Sequence, residues 1–298
     1  MTVLVTGASG LIGRHTVEQL LERGHAVRTF QRSAPLDPNV EHIAGDVCTD
    51  RDALCAAARG CQTVVHLAGR GDVGESRRDP VAYAHLNATG ALHALDAAAR
   101  AGASFVLASS QRVYPLRADP CREDDALEPD SPYGYAKAVA EQWCRMYSDQ
   151  FGARTTVLRF FSVYGPGQQA NGGSGVVTIF ARAALAGAPL VIQSAGRRDF
   201  TDAHDAARAL CLAVERAPDG HRIYNIATGI GTTFRALADE LVELTGSRAP
   251  VEEKIAEPAG RDLVADIGRA KHELGYAPSV PLRAGLERYV GWLRQSSA

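Results

Sequence analysis

The chain reads as an α/β protein, a doubly wound parallel sheet followed by a smaller, discontinuous C-terminal lobe, and three observations predict this. An apolar strand begins at residue 2 and runs straight into a glycine-spaced turn. Apolar runs then alternate with alanine-rich amphipathic segments as far as about residue 160. The stretch Gly165–Ser174, rich in Gly and Gln, breaks that alternation and marks entry into the second lobe. Strand, glycine turn and helix in that order make the large part Rossmann-like.

The elements follow in order. Thr2-Val-Leu-Val-Thr6 is a buried strand, and Thr6-Gly-Ala-Ser-Gly-Leu-Ile-Gly13 is a phosphate-binding turn containing Ser9 and opening a helix from Leu11 to about Glu22. Gly7 allows the tight turn, Gly10 lets the backbone approach a pyrophosphate, and Gly13 lets the helix pack on the strand. The free N–H groups at the helix start, around Leu11 and Ile12, then face the phosphates. Further strands are expected at Ala26–Phe30, His42–Ala44, Thr63–His66, Phe105–Ala108 and Thr156–Phe160, with helices between them, notably Asp79–Arg100 and Pro132–Phe151. Tyr224–Ile226 reads as a strand returning to the large sheet before helix Phe234–Thr245. The expected division is 1–164 with about 200–228 for the dinucleotide-binding part, and 165–199 with 229–298 for the substrate-binding lobe.

Composition narrows the function. A net charge of -2 gives no reason to expect nucleic acid or a membrane surface as partner. No apolar run of about 18 residues suggests a membrane span, and a strand starting at residue 2 leaves no room for a signal peptide, so a cytoplasmic protein is expected. The cysteines Cys48, Cys55, Cys61, Cys121, Cys144 and Cys211 form no C-x-x-C and no cluster with histidine, which points to reduced thiols and no metal site.

The chemistry is announced by Ser131-Pro-Tyr-Gly-Tyr-Ala-Lys137. On a helix Tyr133 and Lys137 share a face, so the ammonium can draw the phenol down from its usual pKa of about 10 toward a usable acid or base. Tyr135 points off that face. Ser110 can donate a hydrogen bond to the reacting oxygen, and a nicotinamide would exchange hydride.

These residues, with Asp46-Val47, His66-Leu67-Ala68-Gly69, Asn87, Ser109-Ser110, Leu158 to Pro166 and Arg198-Asp199-Phe200, resemble the extended short-chain dehydrogenase/reductases that modify nucleotide sugars. The motifs fall in order over nearly the whole chain. The resemblance implies an enzyme in which Tyr133 is the acid/base, Lys137 its pKa modifier and ribose ligand, Ser110 the donor to substrate, and Asn87 the keeper of a helix kink and a water near Lys137. It further implies that Asp46 and Val47 contact adenine, that Ala68 and Gly69 line the back of the pyrophosphate and nicotinamide ribose, that Leu67 and Phe160 are cofactor contacts, and that two helices, 79–101 and the one from Pro132, pair in a homodimer; apolar residues on both, such as Leu86, Leu92, Val139 and Trp143, permit this and equally suit burial within one chain.

Within that resemblance, several positions tune the expectation. NAD-binding sites usually end the second strand with Asp or Glu for the ribose; here Gln31, Arg32 and Ser33 stand there, and Arg32 can pair with a 2′-phosphate, which favours NADP slightly over NAD. Sugar-nucleotide 4,6-dehydratases carry Asp-Glu after the equivalent of Ser110, whereas this chain has Gln111-Arg112. Dehydration thus lacks its acid and base, leaving a 4-epimerase, with UDP-glucose 4-epimerases as the pattern, or an NADPH-dependent ketoreductase of a keto-sugar or another carbonyl; a non-catalytic NADP-binding module is the remote alternative. Ser109, Gln111, Ser162, Arg198 and Arg261 are the expected substrate contacts. Arg198 is directed at the diphosphate, Ser162 stands where an asparagine is common, and Arg261 lies a shortened interval ahead of Ala265-Asp266. Gly69–Gly74 is expected to be a mobile loop, and Arg70, Arg77 and Arg78 receive no role.

Overall fold

A computed structural model describes all residues except 36, 169–174, 258–260, 297 and 298, so most of the Gly165–Ser174 break lies outside the described residues. The strands are β1 (Thr2–Thr6), β2 (Ala26–Gln31), β3 (Glu41–Ala44), β4 (Thr63–His66), β5 (Ser104–Ser110), β6 (Thr155–Phe160), β7 (Val163–Tyr164), β8 (Leu190–Ser194), β9 (Arg197–Asp199), β10 (Thr201–Asp202), β11 (His221–Ile226), β12 (Gly231–Thr233) and β13 (Val251–Glu257). Seven of them form one sheet in the order β11-β6-β5-β4-β1-β2-β3, with every neighbour parallel. The helices are α1 (Leu11–Glu22), α2 (Arg51–Ala58), α3 (Val73–Arg78), α4 (Pro80–Ala84), α5 (Gly90–Arg100), α6 (Pro132–Phe151), α7 (Val176–Leu185), α8 (Ala203–Arg216), α9 (Phe234–Thr245) and α10 (Leu282–Ser296).

Alternation along the strands sends side chains to opposite faces, and each face carries its own core. Val3 and Val5 of β1 pack with Val17 and Leu20 of α1 and with Leu210 and Val214 of α8. Leu4, between them, packs with Leu54, Leu95, Phe105 and Cys144 under α2, α5 and α6. Ala57, Ala58, Ala97 and Ala98 are fully buried there; the alanine runs let helices lie close on the sheet. A third core, built from α7, β8, α9 and α10 around Phe180, Ile192, Leu241 and Tyr289, makes the small lobe.

The chain order fixes where a ligand can sit. From β1 the sheet grows to β2 and β3, then the chain crosses back to place β4 on the other side of β1. Crevices outside the carboxyl ends at such a reversal are where open parallel sheets bind ligands. Thr6 and His66 face each other across it, Thr6 Oγ1 lying 2.8 Å from His66 Nδ1, and burial holds that imidazole down at about 3, neutral.

Three differences from the sequence expectation have physical causes. The single helix expected over Asp79–Arg100 is divided. Asp79 caps α4 by accepting from Ala82 N, and a π-helical turn, His85–Thr89, precedes α5. Asn87 in that turn donates to the Tyr83 carbonyl and accepts from Arg70 N, contacts that widen the helix locally. The Gly69–Gly74 loop is pinned at both ends, by Arg70 N on Asn87 and by Asp72, which caps α3 by accepting from Glu75 N at 2.9 Å. Within 229–298, expected in the small lobe, Ala270, Leu274 and Tyr276 pack instead into the core of the large sheet beside α8.

Candidate active site

A cavity of about 1040 Å³ runs along the carboxyl ends of the strands, from the glycine turn to the small lobe. At its first end Gly7 adopts φ +70°, and a Cβ there would stand 2.5 Å from Ala68 N. A Cβ on Gly13 would lie 2.2 Å from Gly7 O, so the close packing of α1 on β1 requires glycine. Gly10 caps α1 without any side chain, and no acidic side chain stands in the first turn, so the N–H groups of Leu11, Ile12 and Gly13 open onto the cavity. That cradle suits a dinucleotide pyrophosphate.

The corner at the end of β2 is held by Gln31. Its Oε1 accepts from Ser9 N at 3.0 Å, and its Nε2 donates to the carbonyls of Ser33 and Ala34. Both ends of the amide are therefore engaged by the protein. Ser33 Oγ donates to Ser9 Oγ. Arg32 reaches outward, its side chain 76% exposed and its Nη1 3.7 Å from Asp46 Oδ2. Val47 is buried, and its carbonyl meets His93 Nδ1.

The middle of the cavity gathers Leu67, Gly69, Asn87, Ser110, Tyr133, Lys137 and Phe160. α6 brings Tyr133 and Lys137 there because Ser131 caps it by accepting from Gly134 N and Pro132 fills its first position. Ser110 lies beside Tyr133 in this lining, and Tyr83 meets the Tyr133 ring edge-on with centroids 6.5 Å apart. Tyr135 is 60% exposed, off the catalytic face. One expectation is corrected here. Lys137 is buried with its Nζ donating to the Ala108 carbonyl at 2.8 Å, and burial lowers its pKa to about 8 against the raising influence of Glu141. Burial pushes the Tyr133 phenol up, and the groups that oppose this are Ser110 and the charge of Arg112, not Lys137.

Ser109, expected against substrate, lines the cavity, but its hydroxyl is committed to the core. It donates to Glu141 Oε1 at 2.5 Å, and Glu141 takes Arg159 through Nε and Nη2, the latter at 2.6 Å. Arg159 also donates to Tyr114 Oη at 2.6 Å and lies over the Tyr114 ring. The sequence reading missed Glu141 and Arg159. The spacing of Glu141, one turn beyond Lys137, was the available signal.

At the small-lobe end stand Gln111, Ser162, Arg198 and Phe234. Gln111 Nε2 donates to Ser162 Oγ at 3.0 Å, and Ser162 holds φ +28°, a conformation asparagine adopts more readily than serine. Arg198 is buried over the Phe234 ring and donates to the carbonyls of Arg197 and Arg261. The expected role of Arg261 is thus corrected: it reaches this end through its backbone carbonyl, which orients Arg198, while the residue itself is exposed. Among the described residues no group of His, Cys, Asp and Glu could hold a metal, and all six cysteines are free. No helix among them is long and apolar enough to cross a membrane.

The family model of the NAD-dependent epimerase/dehydratase family matches residues 3–227. The chain belongs to that family. A UDP-glucose 4-epimerase of Mycolicibacterium smegmatis is 32% identical over the whole of both chains. Among solved structures, a UDP-glucose 4-epimerase of Thermotoga maritima with UDP-glucose superposes with a TM-score of 0.91 at 31% identity, covering all of both chains. MoeE5, solved with UDP-glucose and NAD, gives 0.91 at 32% identity, also covering all of both chains. As a family member the protein is an enzyme of the extended short-chain dehydrogenase/reductase type that binds a nicotinamide dinucleotide, and its sheet has the family's Rossmann-like order.

Proposed function

We propose that the protein is a nucleotide-sugar 4-epimerase, a reading supported by relatives solved or named with UDP-sugars. The observation that carries it is the meeting of Ser110, Tyr133 and Lys137 in the cavity that also holds the glycine turn, with no carboxylate at positions 111 and 112. Nicotinamide, when bound along Gly7–Gly13, supplies the hydride acceptor and donor. Tyr133 takes the proton from the sugar hydroxyl and returns it; Ser110 holds that oxygen; Lys137 carries the compensating positive charge close by. Arg198 faces the diphosphate, matched by its bidentate geometry. The phenol of the free site is pushed up by burial, so the proposal requires Arg112 and Ser110 to supply the opposing pull.

Net reduction of a keto-sugar is the second reading, favoured by Arg32 alone. That arginine would meet a 2′-phosphate of NADP, although Asp46 stands 3.7 Å from it and would face the same phosphate. Denaturing freshly purified protein and identifying the released cofactor by chromatography separates the two. Stoichiometric NAD supports recycling and the epimerase; an empty protein preferring NADPH supports the reductase. The proposed assembly is a homodimer through α4, α5 and α6, on whose surface Val81, Tyr135 and Val139 are exposed. Light scattering of the Val139→Glu variant, expected to run as a monomer, tests it.

A further inference from the structure

We infer that the sugar end of the cavity is built for a carboxylate, with Arg112 and Arg78 receiving the acid group of a nucleotide sugar whose exocyclic ring carbon is oxidised. The inference rests on the 4-epimerase reading. Arg112 is delivered to the catalytic phenol by its own backbone. Its N–H donates to Ser110 Oγ at 3.2 Å, and its carbonyl packs so closely under the first turn of α6 that a Cβ on Gly134 would lie 2.3 Å from it. The side chain then lines the cavity beside Tyr133.

These guanidinium groups are not saturated by the protein. Arg112 has Asp130 at 3.7 Å, beyond the roughly 2.7–2.9 Å of a charge-assisted hydrogen bond. The chain closes such bonds elsewhere, Arg159 on Glu141 at 2.6 Å and Arg197 on Asp262 at 2.8 Å. Arg78, at the end of α3, has no acidic partner among the described residues, and its neighbour Arg77 donates to the Asp130 carbonyl, which ties the basic end of α3 to the Arg112 side of the cavity. The carboxylates lining that end are already engaged. Asp72 caps α3, and Glu75 accepts from Tyr83 Oη at 2.7 Å. The diphosphate has its own arginine, Arg198, at the opposite end beside Phe234.

Chemistry supplies the match. If Tyr133 and Ser110 handle the oxygen on C4, the exocyclic carbon lies two bonds away, on the ring position next to it. A hydroxymethyl group there offers one neutral oxygen, whereas a carboxylate offers the two parallel acceptors that a guanidinium fork fits.

The test compares kcat/KM for UDP-glucuronic acid and UDP-glucose in the holoenzyme, Arg112→Gln and Arg78→Ala. Taking the ratio of the two substrates within each protein cancels any common effect on folding or on Tyr133. The expected result is at least a tenfold preference for the uronate, cut at least tenfold by Arg112→Gln and less by Arg78→Ala. Turnover of UDP-glucose with no preference for the uronate, or an equal loss on both sugars in Arg112→Gln, overturns the carboxylate site and leaves the epimerase reading standing. If neither sugar is turned over, titration calorimetry with both ligands decides: an Arg112-dependent preference for the uronate upholds the site while ending the epimerase reading, and equal binding overturns the site.

Discussion

Lys137 is held in a place that costs the fold stability, and replacing it with methionine is expected to make the cofactor-free protein more stable while abolishing turnover. Burial takes the ammonium from its ordinary 10.5 to about 8. At about 1.4 kcal/mol per tenfold, that drop is worth about 3 kcal/mol at neutral pH. The sign follows from proton counting. Between pH 8 and 10.5 the unfolded chain keeps the proton that the folded site releases, so this lysine's contribution to stability rises with pH in that window and is uniformly unfavourable below it. Methionine removes the charge but leaves the Ala108 carbonyl without its donor, which costs about 1–3 kcal/mol. The net expectation is a gain of up to about 2 kcal/mol at pH 7. Urea denaturation of both proteins at pH 7 and pH 10 measures it: the midpoint of Lys137→Met should lie above that of the parent at pH 7, and the advantage should vanish at pH 10. A variant equally destabilised at both pH values would refute the reasoning, because the lysine would then be an ordinary stabilising contact.

Tyr133→Phe is expected to lower kcat by about 10²–10⁴-fold, with Tyr135→Phe, on the exposed side of α6, within twofold of the parent; initial rates on a UDP-sugar compare them. Gly13→Ala drives a Cβ to 2.2 Å from Gly7 O, a backbone clash that should cost about 1–3 kcal/mol and weaken dinucleotide binding at least tenfold by fluorescence titration. Gly291→Ala, with nothing within 4 Å, is its neutral or stabilising control. Glu141→Gln leaves the buried Arg159 without its counter-ion, and chemical denaturation should record a loss of about 3–5 kcal/mol.

What the sequence discloses and what it hides divides along physical lines. The bounds of α6 are legible because its signals are local: Ser131 and Pro132 at the start, and Gly152 at φ +66° at the end. The glycine turn is legible because Gly10 and Gly13 answer to steric demands within one strand–helix unit, whereas the space around Gly7 is closed by Ala68 beyond β4. Strand ends are less so. β11 extends back to His221 because β6 pairs with it along its length, and nothing in His221-Arg222 signals a partner. The break before α5 depends on Asn87 reaching Tyr83 and Arg70, the second a contact across the fold. Helical spacing alone makes Lys137 the electrostatic partner of Tyr133. The fold instead turns Lys137 to Ala108 and brings Arg112, from another element, toward the phenol. Arg261 misled for a related reason: its carbonyl, not its charge, meets Arg198.

The central claim is interconversion at C4 of a nucleotide sugar by Ser110, Tyr133 and Lys137. Proton NMR of UDP-glucose and of UDP-glucuronic acid, each incubated with the purified protein and no added reductant, tests it most directly. The account predicts that the C4 epimer of at least one of them appears and approaches equilibrium, and that Tyr133→Phe leaves the spectrum unchanged. Persistence of both starting sugars with the intact protein, or formation of the epimer at an undiminished rate by Tyr133→Phe, would contradict it.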